Sequence, residues 1–145
     1  VHGKTTRDTS KASNSSLGGR TENAAEFKVT AASFDDAETG DEMLSLASLS
    51  SYIEAACKAT AGGVLDSAEE SVGVSLSVRQ LSCVRHGDQV RIRAQCVRDP
   101  TSLMIHLHVA VDLGTQLAVV ADQSRLIVER GALRDRQQAR SALTI

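Results

Sequence analysis

Residues 42–63 read EMLSLASLSSYIEAACKATAGG and residues 71–81 read SVGVSLSVRQL, and these two stretches decide the fold. In the first, Leu46, Leu49, Ile53, Ala56 and Thr60 recur at steps of three and four residues, the spacing that gathers side chains on one helix face. Thr39 followed by Glu42 has the form of a capping box, and Gly62-Gly63 supply a left-handed stop. The flank with Ala47, Ser50, Ser51, Ala55 and Cys57 carries little bulk, so this helix can lie very close to a sheet. In the second stretch, Val72, Val74, Leu76 and Val78 alternate with Gly73, Ser75, Ser77 and Arg79, the period of a half-buried strand.

Working outward, Glu26-Phe27-Lys28-Val29-Thr30 forms a short strand, and residues 33–40 are an acidic, turn-rich link to the helix. Beyond the second stretch, residues 82–88 make a loop whose turn is His86-Gly87-Asp88. Val90, Ile92, Ala94 and Cys96 then alternate with Arg91, Arg93 and Gln95. A turn at Asp99-Pro100-Thr101-Ser102 leads to Leu103, Ile105, Leu107, Val109 and Val111, alternating with Met104, His106, His108 and Ala110. After Asp112-Leu113-Gly114-Thr115 comes a long last strand over residues 116–128, whose alternation slips near Asp122 to Ser124 and predicts a bulge there. Residues 131–143, GALRDRQQARSAL, form a polar terminal helix. The order is strand, buried helix, then four antiparallel strands joined by short turns, which is α+β.

The chain has 145 residues, enough for one domain that buries roughly 70% of its unfolded surface. Aromatic residues are confined to Phe27, Phe34 and Tyr52, so the core is aliphatic. The formal net charge of −2 points to neither nucleic acid nor membrane, except through a ribonucleoprotein assembly, and no apolar run reaches the ~18 residues of a membrane span. Cys57, Cys83 and Cys96 are an odd set without a C-x-x-C pair, the pattern of reduced thiols, with Cys57 and Cys96 on apolar faces. Cys83-x-x-His86 and His106-x-His108 match no structural zinc spacing, and no metal is expected. Neither Gly18-Gly19 nor Gly62-Gly63 has the flanks of a phosphate-cradling loop. Residues 1–25 are rich in Ser, Thr, Gly and basic groups and cannot fold alone. They resemble the mature end of an organellar transit peptide, so the expected location is mitochondrial, otherwise cytoplasmic. Three parts follow: an extension over 1–25, a domain over 26–130 and a polar tail over 131–145.

The run SLSSYIEAAC at 48–57, ESVGVSLSVRQL at 70–81, the His86-Gly87-Asp88 turn and VRIRAQCV at 90–97 together resemble the fluoroacetyl-CoA thioesterase branch of the hotdog thioesterases. That resemblance covers roughly residues 26–130. It implies a hotdog fold, an antiparallel five-stranded sheet wrapped around one long central helix. In that branch a Thr near the helix start, a Glu on the helix and a His at the end of the next strand act together on a thioester. By the same spacing the Glu is Glu54, the His position holds Gln80, and the Thr position holds Leu46 with Ser45 and Ser48 beside it. Gln80 has the parity of Val74, Leu76 and Val78 and so faces the helix; its amide can orient a water or a carbonyl but is no base. Glu54 can activate water or attack an acyl carbon; alternatively it is a partly buried carboxylate bonded to Gln80, Ser50 or a backbone amide. Gly73 permits close strand packing or, with Ser48, the approach of a substrate. Arg91 and Arg93 belong to a solvated strand face or contact the phosphates of a coenzyme A tail.

Two functions follow from the resemblance. Loss of the family's His and Thr predicts a catalytically degenerate hotdog domain, a structural subunit of a larger mitochondrial assembly, with negligible hydrolysis of short acyl-CoA thioesters. The alternative is an acyl-CoA thioesterase with Glu54 as base or nucleophile, needing no cofactor beyond its coenzyme A thioester substrate. In either case the strand from Ser71 to Leu81 is expected to pair with another hotdog chain, as a homodimer or a heterodimer. Both termini are expected to contact other protein subunits.

Overall fold

The computed structural model describes residues 21–32 and 43–143. The elements are β1 (Thr21–Thr30), α1 (Leu46–Ala61) continued by a short 3-10 turn at Gly62–Val64, β2 (Glu69–Gln80), β3 (Gln89–Arg98), β4 (Met104–Leu113), β5 (Gln116–Glu129) and α2 (Ala132–Leu143). The strands form one five-stranded sheet in the order β1-β3-β4-β5-β2, with every neighbouring pair antiparallel. The sheet wraps α1 in the hotdog arrangement, as the resemblance implied.

The period-two pattern survives best in β3 and β4. Val90, Ile92, Ala94 and Cys96 are buried on the first, and Ile105, Leu107, Val109 and Val111 on the second. Against them lie Leu49, Ile53, Ala56, Cys57 and Ala61 of α1. Leu49 and Ile53 are 3% and 0% exposed, so each is worth about 1.5–3 kcal/mol of apolar burial. The strictly alternating strands thus make the floor, and the three-and-four spacing of α1 makes the layer above it.

Several expectations need correction. The helix begins at Leu46, capped by Ser45, whose Oγ accepts a hydrogen bond from the Ser48 N–H. Thr39, Glu42 and most of the acidic link lie outside the described residues. Gly62 is not left-handed: its φ of −56° and ψ of −27° carry the chain straight into the 3-10 turn. Gly63 serves a different purpose, because an added Cβ would meet Asn23 Nδ2 at 2.0 Å. β1 starts at Thr21, earlier than expected, and pairs with β3 along its whole length.

The four later strands are also not one consecutive meander. β2 sits at the sheet edge beside β5, and β1 takes the place next to β3. The chain reaches β3 from β2 by a loop that crosses the start of α1. There the Leu44 N–H donates to the Val84 carbonyl at 2.8 Å, and the Ala31 and Gly87 amides bond Asp88 and Ala31 at 2.7 Å. The extra residue in the β2–β5 pair lies in β2, where the register shifts between Gly73 and Ser75, opposite the place expected in β5. A second shift, at Val111/Asp112 in the β4–β5 pair, brackets Ala118. The bulge at Val74 reverses the phase of β2. Ser71 and Gly73 therefore share the inner face with Leu76 and Val78, while Val74 is 54% exposed.

Candidate active site

Glu54 sits on the flank of α1 that faces β2 and β5. Residues 46, 50 and 54 are one helical turn apart, so Leu46 lies on the same flank two turns nearer the helix start, 54% exposed. Two inward-facing β5 side chains meet the carboxylate. Arg125 Nη1 donates to Glu54 Oε1 at 2.7 Å, and Gln123 Nε2 donates to Glu54 Oε2. The same Arg125 Nη1 donates to Gln123 Oε1 at 3.0 Å. The remainder of the guanidinium is taken up by β2: Nε donates to Ser71 Oγ at 2.7 Å and Nη2 to the Ser71 carbonyl at 3.1 Å.

Burial divides this cluster into a back and a front. The Arg125 side chain is 2% exposed, whereas that of Glu54 is 44% exposed. A buried guanidinium persists only with its donors satisfied, and here Glu54, Gln123 and Ser71 satisfy them. Partial burial pushes the Glu54 carboxyl up, but hydrogen bonds from Arg125 and Gln123 and the charges of Arg125 and Lys58 outweigh it and hold the group below its ordinary 4.5. The carboxylate is therefore ionised throughout the neutral range.

Gly73 completes the arrangement. A Cβ there would stand 2.9 Å from Gln123 Nε2 and 3.1 and 3.2 Å from the two Glu54 oxygens. The missing side chain is what lets helix carboxylate and edge strand approach each other. Gly73 thus adjoins Glu54. Gln80 pairs with Val119 and so shares the inner face, but it is exposed, and the partners of Glu54 are Gln123 and Arg125 rather than Gln80 or Ser50. Ser48 is 1% exposed and hydrogen-bonded to the cap residue Ser45 at 3.0 Å, which places it in the core. Gln123 and Arg125 escaped the sequence reading because they looked like a slip in the strand pattern. Their signal was a polar pair two residues apart on an apolar strand face.

Elsewhere, Arg91 and Arg93 are held on the outer sheet face by Asp112, at 3.2 and 2.7 Å. His106 and His108 lie on the same outer face, bonded to Ser124 and Asp122. Among the described residues no group of three or more His, Cys, Asp or Glu side chains is placed to hold a metal, and no helix is long and apolar enough to cross a membrane. An apolar groove of about 310 Å³ runs along the opposite flank of α1, lined by Phe27, Val29, Tyr52, Ala55, Ala56, Ala59 and Ile92; Glu54 is not part of it.

Comparison with known proteins agrees with this fold. Residues 26–131 match the family described as fluoroacetyl-CoA-specific thioesterase, FlK. No curated protein sequence matches the chain. Among solved structures, a hot-dog-like protein from Thermanaerovibrio acidaminovorans superposes with a TM-score of 0.70 at 18% identity, covering 81% of this chain and 90% of that one. A thioesterase superfamily member from Thermus thermophilus gives 0.65 at 18% identity, over 83% and 93%. A variant of FlK in complex with fluoroacetate and CoA gives 0.61 at 16% identity, over 71% and 80%. With a helix-borne carboxylate set against the edge strand of a hotdog sheet, and with the family match taking in α1, all of β2 to β5 and the second half of β1, the chain belongs to the fluoroacetyl-CoA-specific thioesterase family of the hotdog-fold thioesterase superfamily.

Proposed function

We propose that this protein hydrolyses acyl-CoA thioesters, with Glu54 as the attacking group and two copies paired through β2. One observation carries the reading: a carboxylate kept ionised by a buried cation behind it, yet 44% exposed in front. Both properties suit an attacking group: its charge is fixed at neutral pH and its oxygens can be reached from solvent. This setting favours the thioesterase over the degenerate subunit, the first of the two readings made from sequence.

The depressed pKa makes Glu54 a poor proton acceptor at neutral pH but a fully ionised nucleophile. In the proposed step a Glu54 oxygen bonds to the thioester carbon, the carbon–sulfur bond breaks and coenzyme A leaves as its thiolate. Water then cleaves the mixed anhydride, releasing the free acid and restoring the carboxylate. Backbone amides at the β2 bulge beside Gly73 would receive the developing oxyanion; Gln80, which pairs with Val119 further along β2, lies too far from Glu54 to take part. Without the family's His and Thr, roughly two to four orders of magnitude of general acid–base help are missing, so turnover is slow.

The edge position of β2 supports pairing. Among the described residues it leaves one side of the strand's backbone unpaired, the strand carries neither Pro nor Lys to block association, and Val74 within it and Leu81 just beyond it expose apolar surface, at 54% and 53%. The test is release of free coenzyme A from a series of short acyl-CoA thioesters. Glu54→Gln is expected to lower kcat at least ~100-fold and to cost about 3 kcal/mol of stability, because it leaves the buried Arg125 without its counter-charge; kcat is therefore compared at a temperature where the variant is folded. No release above the uncatalysed rate, by wild-type protein with any thioester in the series, would overturn the enzyme reading in favour of a structural subunit.

A further inference from the structure

We propose that Arg125 is the positioning residue of this site: its single guanidinium fixes the Glu54 carboxylate, the Gln123 amide and the edge strand β2 as one rigid unit. The proposal rests on the reading of Glu54 as the reacting group, and it adds what sets the direction and charge of that group.

A guanidinium offers N–H groups in a planar fork, so the partners it holds are fixed in angle as well as distance. Here the fork spans three elements. Nη1 serves Glu54 on α1 and Gln123 on β5, while Nε and Nη2 serve Ser71 on β2. The Ser71 contacts lie just before the bulge, on the same face of β2 that Gly73 presents to the carboxylate. Arg125 therefore ties the orientation of the nucleophile to the conformation of the strand that carries the proposed oxyanion donors. Because that strand is also an edge of the sheet among the described residues, a second copy pairing there would press on the same unit.

Lysine cannot do this. Its ammonium supplies the charge but not the fork, and its three donors rotate together. Charge and positioning are thus separable by substitution. The charged neighbours of Glu54 are Arg125 from β5 and Lys58 from α1 itself; its contacts from β2 are with uncharged Gly73. Removing Arg125 leaves Lys58 as the remaining nearby cation.

The experiment follows the Glu54 carboxyl carbon by NMR during acid titration, in wild-type protein and in Arg125→Met, Arg125→Lys and Ser71→Ala. Each variant's fold is checked by its amide spectrum, and kcat is measured alongside. In Arg125→Met the Glu54 midpoint is expected to rise by about one unit or more, and the acid limb of the kcat/KM profile to move with it. Arg125→Lys is expected to keep the midpoint low yet lose about tenfold or more in kcat, because charge remains and direction does not. Ser71→Ala, which preserves the cation and retains the carbonyl contact, supplies the same test if Arg125→Met fails to fold: its midpoint is expected to stay low and its kcat to fall. An unchanged midpoint in folded Arg125→Met, or wild-type kcat in Arg125→Lys or Ser71→Ala, would overturn the proposal. If the wild-type protein releases no coenzyme A, the hydrolysis reading fails, while the titration still decides whether Arg125 governs Glu54.

Discussion

At the scale of single residues, two glycines do opposite work. At Gly73 the atoms an added Cβ would meet are the ends of the Gln123 and Glu54 side chains, so a side chain there would displace the carboxylate from its partners. At Gly63 the neighbour is Asn23, which is 8% exposed and anchored by its Nδ2 donating to the Thr60 carbonyl at 2.9 Å. A Cβ there would also stand 2.6 Å from Asn23 Cγ and 3.2 Å from its Cβ, so there is little room to yield. Gly63→Ala is therefore expected to cost about 1–3 kcal/mol of stability in urea denaturation. Combining it with Asn23→Ala should cost less than the sum of the two single changes, because the shorter side chain vacates the contested space. A strictly additive result would show that Gly63 is there for backbone freedom alone.

Among elements, β2 is the one whose behaviour departs most from its sequence. A strict alternation of apolar and small residues predicts one face throughout, and the bulge at Val74 splits it into two phases. The first phase presents Ser71 and Gly73 inward to Arg125 and Glu54; the second presents Leu76 and Val78 to the core. The displaced Val74 is left on the surface. If β2 is the pairing edge, a charge at that exposed position should hinder association, since edge lysines blunt strand addition. Val74→Lys is expected to shift the protein from dimer to monomer at micromolar concentration in sedimentation velocity, with little change in far-UV circular dichroism. A wild-type protein that sediments as a monomer at the same concentration would remove β2 as an interface between copies.

For the molecule as a whole, the aliphatic core controls the thiols. Cys57 and Cys96 are 0% and 2% exposed, and burial pushes them up to about 12 and about 11. Neither supplies appreciable thiolate at neutral pH, and neither is reached without opening the packing between α1 and the sheet. Cys83, in the β2–β3 loop, is exposed. Under native conditions iodoacetamide is expected to modify Cys83 alone, with Cys57 and Cys96 labelled only at the rate of global unfolding or in denaturant. Mass spectrometry of the intact chain distinguishes the outcomes. Rapid native labelling of Cys57 would mean that the central helix opens locally.

What the sequence determined by itself was everything local and periodic. The buried rows of β3 and β4, the apolar face of α1 and the turns at Gly87 and Gly114, with φ of 92° and 58°, all follow from spacing and residue type. Glu54 stood out as the one acid in the helix, and family resemblance carried the order of elements. Only the tertiary structure decided which strand neighbours which, because a hydrophobic period says that a strand is covered and not by what. Hence β2 moved to the edge, and Arg125 and Gln123, some seventy residues away, became the partners of Glu54. A polar pair on an apolar strand face is legible from sequence only as an interruption. Its meaning arises when long-range pairing brings a carboxylate to meet it, since a buried cation is stable only where its counter-charge has been delivered.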